Sequence, residues 1–307
     1  MVNLKRKEKV SGSILEKGNL PLIIGFLFPA VASVMFFTYY PAVQGIIMAF
    51  QRVSVMDLYN TPFVGFDNFK NLFATMDFLR YWQNTFIWVV GCVGAELILG
   101  FTIALLLQKP FFGKRLYESI VFVPWALSGF TVGVIFQWIF NGTIGLANDL
   151  LMRMGFISIP IGFLSSPSLA LPTVMIAKVW TGMAFFAIII MAALKTIPRE
   201  LYESAEIDGA GRVACFFKIT LPSIRNLLTV IILVRSLSTF GASDLIVGMS
   251  KGGPAGASHT VSSYIMVEVL RGIDYGRVSA AGVTMWLFLL ACSLLYLGVT
   301  RGFKKED

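Results

Sequence analysis

SLALPTVMIAKVWTGMAFFAIIIMAAL, residues 168–194, carries a single charge, Lys178, and no period-two alternation of polar and apolar positions. A helix needs roughly 20 apolar residues to cross a hydrocarbon core about 30 Å thick, so this stretch reads as a membrane-spanning helix. Strands of a membrane barrel would alternate, and this run does not. Five further runs of the same kind occupy 21–50, 83–108, 119–139, 226–247 and 278–300. The charges inside them are Glu96 in the second and Arg235 and Asp244 in the fifth. The first run exceeds the length of one span and contains Pro29 and Pro41, which predicts a kink or an extension beyond the lipid.

Composition agrees, since 56% hydrophobic residues, 14% charged residues and a mean hydropathy of +0.77 exceed what a water-soluble domain holds in solution. The expected fold is all-α, a polytopic membrane protein with six transmembrane helices. Its domains are an N-terminal segment 1–20, a membrane domain 21–300 and a tail 301–307. Lys and Arg collect in cytoplasmic loops. With both termini inside, sixteen of the 25 Lys and Arg fall on the cytoplasmic side, among them Lys5, Arg6, Lys109, Lys114, Lys195, Arg199, Arg212, Lys304 and Lys305. Seven fall outside, so both termini are expected in the cytoplasm. The net charge of +8 then follows from topology and anionic lipid headgroups, without a nucleic-acid partner. The basic N-terminus reads as a cytoplasmic anchor rather than a signal peptide. Cys92, Cys215 and Cys292 are far apart and lack metal-ligand spacing.

Immediately after the opening stretch comes a polar island, 195–225, on the expected cytoplasmic side. Thr196 and Pro198 suit a helix start, Glu200 and Glu203 suit the positive end of a first short helix, and Gly209 and Gly211 allow a turn. Phe216, Phe217, Ile219 and Leu221 give a second piece an apolar face, and Pro222 is expected to end it. An amphipathic hairpin lying on headgroups would share that face. A mere connector between spans would not need this much order.

ESAEIDGAGRVACFFKITLP, residues 203–222, resembles the EAA loop of ATP-binding-cassette importer permeases. Glu203, Ala205, Asp208, Gly209, Ala210, Phe217, Ile219, Leu221 and Pro222 fall on that pattern, with Ser204 in place of Ala. SDLIVGMSKGGP (243–254), TVSSYIMVEVLRGIDYGRVSAAG (260–282), FVGFDNFKNLF (63–73) and ELYESAEIDGA (200–210) are similar to the maltose-type carbohydrate permeases, and FVGFDNFKNLF to the first member of the usual permease pair. The resemblance implies a cytoplasmic coupling helix between spans four and five, with Glu203, Ser204, Ala205, Asp208, Gly209, Ala210 and Gly211 contacting ATPase subunits. It implies a second permease subunit, two ATP-binding-cassette ATPases that bind ATP and Mg, an extracellular solute-binding protein and a sugar substrate. The location it implies is the bacterial cytoplasmic membrane.

The chain has no Gly-x-x-x-x-Gly-Lys-Ser/Thr phosphate loop and is expected to bind no cofactor itself. No paired nucleophile and base suggests an enzyme, and no internal repeat suggests a secondary transporter. Polar and aromatic side chains within spans mark the expected substrate pathway. These are Asn84, Gln137, Trp138, Trp180 and, on one expected helical face, Ser236, Phe240, Ser243 and Asp244. Where the family commonly has Phe before the acid and an aromatic three positions after it, this chain has Ser243 and Val247, so the stacking surface is expected to differ. Glu96 and Lys178 either pair, line the cavity, or leave Lys178 to snorkel outward. Arg235 is expected to face the bundle, with a structural contact to the second permease ahead of a contact to substrate, and His259 to be solvated in an external loop.

Overall fold

The computed structural model describes residues 20–303 apart from 58 and 109. The segment 1–19 with its basic cluster, Lys109, Lys304 and Lys305 lie outside the described residues. Within them the chain is helical, and isolated bridges such as Gln51 to Phe63 and Ser54 to Asp274 are the β-type pairings. Among the described residues, five helices are long and apolar enough to cross a membrane, or six when a bent pair is counted as one span.

The first span comprises α1 (Leu20–Val34), a π turn at Met35–Tyr39 and α2 (Tyr40–Ala49). Pro41 has no N–H, and its ring crowds the carbonyl one turn back. The helix widens there, and Tyr40 N–H reaches back five residues to Met35 O, so the span passes its proline without breaking. The outward faces of this span, including Phe26, Phe28 and Phe37, are exposed. Short α3 (Asp67–Phe73) follows, and buried Asn68 donates from Nδ2 to Ala49 O at 2.9 Å and Gln51 O at 2.8 Å, tying the connector to the end of α2.

The second span, α4 (Met76–Gln108), packs along α8 (Pro167–Leu194). Small residues permit the approach: a Cβ on Gly100 would lie 2.5 Å from Phe186 Cβ and 2.7 Å from Met183 O. Between them, the expected third span is not one helix. It is α5 (Lys114–Ala126) and α6 (Gly129–Ile139), bent by 102°. Pro124 removes a backbone donor and crowds α5 near its end, Leu127 is extended, and Ser128 restarts the chain as the first residue before α6. After α7 (Leu146–Arg153), Asn148 Nδ2 holds Gly142 O and Ile161 O while its Oδ1 accepts from Ile161 N–H, closing the loop ahead of α8.

Beyond α8 come α9 (Arg199–Ile207) and α10 (Arg212–Cys215), a second π turn at Phe216–Thr220, and α11 (Leu221–Gly241). Pro222 does not end the second piece as expected. It stands two residues past the π turn, as Pro41 does, and Leu221 N–H bonds to Phe216 O five residues back. One rod therefore runs from Arg212 to Gly241. The fifth run, 226–247, is correspondingly too long by its last residues: the rod stops at Gly241, Ala242 is extended, and α12 (Asp244–Met249) starts anew. α12 packs on α6 through glycines, with Gly248 under Phe130 O and Gly133 under Leu245 O. The chain closes with α13 (Val261–Arg271), opened by a reciprocal Thr260–Ser263 cap, and α14 (Tyr275–Phe303) against α2.

His259 is buried rather than solvated, 5% exposed. Gly252, with φ of 79°, lies flat beneath its ring, Ser263 Oγ is 3.1 Å from Nδ1, and the Tyr81 and Tyr264 rings meet its edges. Asn84 Nδ2 holds the same loop by donating to Ala257 O at 3.0 Å and His259 O at 2.9 Å. Burial, helped by the charge of Arg271, lowers the His259 pKa from 6.5 to about 4. The unfolded chain thus takes up a proton near pH 6.5 that the folded chain refuses until about 4. Thermal unfolding in detergent should show stability falling as pH drops through that window, and His259→Gln should flatten that part of the profile. An unchanged profile would contradict the buried neutral ring.

Candidate functional site: a capped loop and a mid-span charge cluster

The loop begins where Ile197 is buried and Pro198 sets the start of α9, with Glu200 in the first turn. Its end follows from backbone chemistry. Gly209 has φ of 76°, a region that glycine enters without steric cost. Gly209 N–H bonds to Glu206 O at 3.0 Å and Ala210 N–H to Ala205 O at 2.9 Å. Those two bonds are the Schellman pair that satisfies the last carbonyls of a helix. Ala205, Gly209 and Ala210 thus form the C-terminal cap of α9, and Gly211 precedes α10. Glu203, Ser204, Asp208, Gly209 and Gly211 are exposed, and Ala205 and Ala210 half-buried. Leu201, Ile207, Val213 and Phe217 are also exposed, so the loop presents apolar and acidic groups together.

Two contacts fasten the loop to the spans. Tyr202 Oη and Thr220 Oγ1 lie 2.8 Å apart, joining α9 to the π turn at the foot of the rod. Phe216 in that turn meets Phe101 of α4 edge-on at 5.3 Å between centroids.

Further along α11, Arg235 donates from Nε to Glu96 Oε2 at 2.6 Å and from a terminal nitrogen to Oε1 at 3.0 Å. Glu96 on α4 is fully buried, and its partner is Arg235 and not Lys178. Arg235 faces the bundle, as expected, and lies 5.1 Å from the Phe185 ring centroid. Gly182 of α8 sits against the pair, where a Cβ would collide with Glu96 Oε1 and with Arg235. Three helices meet here around one charge pair.

Beside the pair, at the break between α5 and α6, a polar cavity of about 150 Å³ is lined by Trp125, Gly129, Lys178, Thr181, Arg235 and Asp244, with Pro124, Leu127 and Leu245. Lys178 makes no ion pair to another described residue, and the Asp244 carboxylate rests against Gly129 at the start of α6. Of the expected pathway residues, this cavity gathers Asp244 alone. Ser236 is half-buried on α11, and Ser243 lies in the break after it, so the four residues do not share one helical face. Phe240 is buried, stacked on Phe288 at 5.3 Å and close to Trp82. Gln137 borders a separate 240 Å³ recess with Asn141, Trp138 is exposed, and Trp180 packs against Phe136 beside an apolar groove with Gly91 and Met175. Asn84 is committed to the loop that holds His259. Trp125, Gly129 and Thr181 carry no sequence-based expectation, although Pro124 followed by Ser128-Gly129 is a legible break signal.

The family described as binding-protein-dependent transport system inner membrane component matches residues 96–305. A sulfoquinovosyl glycerol transport system permease protein of Agrobacterium fabrum is 31% identical over 287 residues, 94% of this chain and 92% of that protein. A trehalose/maltose transport system permease protein of Thermococcus litoralis is 30% identical over 288 residues, covering 92% and 95%. The crystal structure of a bacterial ABC transporter that imports the acidic polysaccharide alginate contains a chain of TM-score 0.80 and 25% identity, covering 93% of this chain and 96% of its own. A second alginate transporter structure, in complex with a pentasaccharide-bound periplasmic protein, matches with the same score and identity.

Breaking a buried ion pair by neutralising one partner costs about 3–5 kcal/mol, more than removing both charges together. Glu96→Gln should therefore lower the unfolding temperature more than Glu96→Leu combined with Arg235→Met. Equal losses in the two proteins would show that the pair does not hold the three helices together.

Proposed function

This chain belongs to the binding-protein-dependent transport system inner membrane components, as a multi-pass carbohydrate permease subunit of an ATP-binding-cassette importer, and from that premise we propose that the loop 195–225 couples ATP hydrolysis by partner subunits to alternating access of the spans. The observation that carries the reading is mechanical. The cap formed by Ala205, Gly209 and Ala210, exposed at Gly209, leads through one turn into an unbroken rod from Arg212 to Gly241, whose Arg235 grips Glu96.

In this reading two ATPase subunits hold ATP and Mg and close around them, and each closure pushes on a coupling helix. Glu203 and Asp208 offer polar contacts to the ATPase cleft, Leu201 and Ile207 offer apolar ones, and the small residues let the backbones approach. The rod carries the displacement as a rigid body to the level of the charge pair. There α11 ends and α12 begins, packed on α6, so movement of the rod reshapes the cavity at the broken span. The chain itself supplies no ATPase site.

A second permease completes the pathway, both termini face the cytoplasm, and an external solute-binding protein delivers the cargo. The named relatives carry sugars or sugar derivatives, and the alginate importer pairs with a periplasmic protein bound to a pentasaccharide, which supports a sugar for this chain too. Asp244, Thr181 and Lys178 provide acceptors and donors for sugar hydroxyls, and exposed Trp125 provides a face for a ring. Asn84, Gln137, Trp138, Trp180, Ser236 and Ser243 remain secondary contacts in this proposal, and Phe240 a packing residue.

A Cβ placed on Gly209 would have nothing within 4 Å, so a side chain there meets space rather than its own chain. Replacement by a β-branched residue adds only the left-handed backbone cost of about 1–2 kcal/mol. In the reconstituted importer, Gly209→Val should abolish ATP-driven uptake while the complex still inserts. Gly209→Asn, which tolerates that backbone, should also impair uptake, because its side chain occupies the docking face. Full uptake by both variants would refute coupling at this cap.

A further inference from the structure

A second recess lies at the loop end of the spans, away from the charge pair. About 470 Å³ in volume, it is bounded by Gln108 at the end of α4, Lys114 and Glu118 at the start of α5, Lys195 at the end of α8, and Arg199 and Tyr202 of α9. Glu118 is the acid among its lining groups, and Lys114 sits 3.8 Å from it. Lys195 and Arg199 make no ion pair to a described residue, so the recess carries two uncompensated positive charges. Its floor is apolar, formed by Leu107, Leu194 and Ile197.

We propose that this recess holds the headgroup phosphate of an anionic phospholipid, with its acyl chains running along α5. Three observations select a lipid over a soluble anion. The recess sits at the ends of α4 and α8 and the start of α5, where a polar headgroup would meet the ends of apolar helices. Phe111 and Phe112, exposed three and two residues before Lys114 with Phe111 meeting Tyr117 at 6.0 Å, form an aromatic edge of the kind that settles at membrane interfaces. Leu116, Ile120 and Val123 are exposed on α5 at spacings of four and three residues, giving one apolar stripe that leads away from Lys114 into the span.

The site has a mechanical consequence. Tyr202 lines the recess and its hydroxyl meets Thr220 at the foot of the rod, so a bound phosphate braces α9 against α8 and α5. The lipid stiffens the joint between loop and spans.

Each basic residue near an anionic headgroup contributes about fivefold in affinity, so removing two lowers the preference by roughly 30-fold. The experiment presents the importer, extracted with this chain in place, with equimolar phosphatidylglycerol and phosphatidylcholine and counts retained lipid by native mass spectrometry. The wild type should retain phosphatidylglycerol selectively. Lys195→Gln with Arg199→Gln should erase most of that selectivity, while Lys195→Arg with Arg199→Lys should keep it. If the double glutamine variant fails to assemble, Lys195→Gln alone should lose about fivefold. Selectivity unchanged by these neutralisations would overturn the proposal. Displacement of the lipid by millimolar inorganic phosphate would overturn it in favour of a soluble anion. Loss of an ATPase subunit with lipid selectivity intact would overturn it too, making the recess a protein interface.

Discussion

One bidentate contact, Arg235 with Glu96, fixes how the central helices of this permease can be arranged. A carboxylate with no exposed surface in the middle of a span is tolerated only if a cation meets it, and at this depth few positions allow that. The requirement sets the rotation of α11 about its axis and its height against α4. It also dictates glycine at position 182, since any larger residue on α8 would occupy the space that the two head groups fill. The apolar cluster of Phe186, Ile190, Leu228 and Ile231 then packs on the loop side of this point. On the other side Trp88, Val132, Val174 and Ile246 join α4, α6, α8 and α12. Apolar packing alone discriminates weakly between helix rotations in lipid, whereas a fork meeting a carboxylate does so strongly.

The prolines show how the same residue produces opposite outcomes. Pro41 and Pro222 each stand two residues beyond a π turn, and both helices continue. Pro124 stands near the end of α5, followed by an extended Leu127, and the chain turns through 102°. Widening the helix absorbs the missing donor when the chain around it is anchored. Thr220 is anchored by Tyr202, and α2 by its packing on α14. Beyond Pro124 the next apolar residues find their burial on α12, off the axis of α5, where Gly133 and Gly248 allow backbone-to-backbone approach. Tertiary packing, not the proline, decides between a bulge and a break.

Much of this is legible in the residues. Long uncharged runs give the spans because lipid leaves the backbone no other partner, and that rule needs no tertiary knowledge. Gly209 and Gly211 predict a turn, and the Schellman bonds at Gly209 and Ala210 supply the reason. The break of the third span is written in Pro124 and Ser128-Gly129 but masked by an unbroken hydropathy, which measures transfer to lipid and not direction. Phe240 defeats the sequence for a similar cause: helical spacing projects it and Asp244 onto one face, yet Ala242 is extended between them. By charge alone Glu96 could pair with Arg235 or Lys178, and only the position of Gly182 shows which cation has room. The small neighbours of His259 suggest solvation, and instead they allow the loop to close over the ring.

The charge pair and the broken span together explain where work can be done. A polar cavity within spans is costly unless its groups answer one another, and here Arg235 is already satisfied by Glu96 while Lys178 and Asp244 face the space without a bond between them. Half-buried Lys178 and exposed Asp244, unpaired with each other, are the groups that the proposed polyhydroxylated guest would engage. Asp244 begins α12, Gly129 beneath it begins α6, and the rod that reaches back to the loop ends three residues earlier at Gly241. A displacement of that rod therefore acts first on the carboxylate and the helix start it rests against. Under the proposed coupling, the residue placed to meet a sugar is the one that motion from the loop reaches soonest.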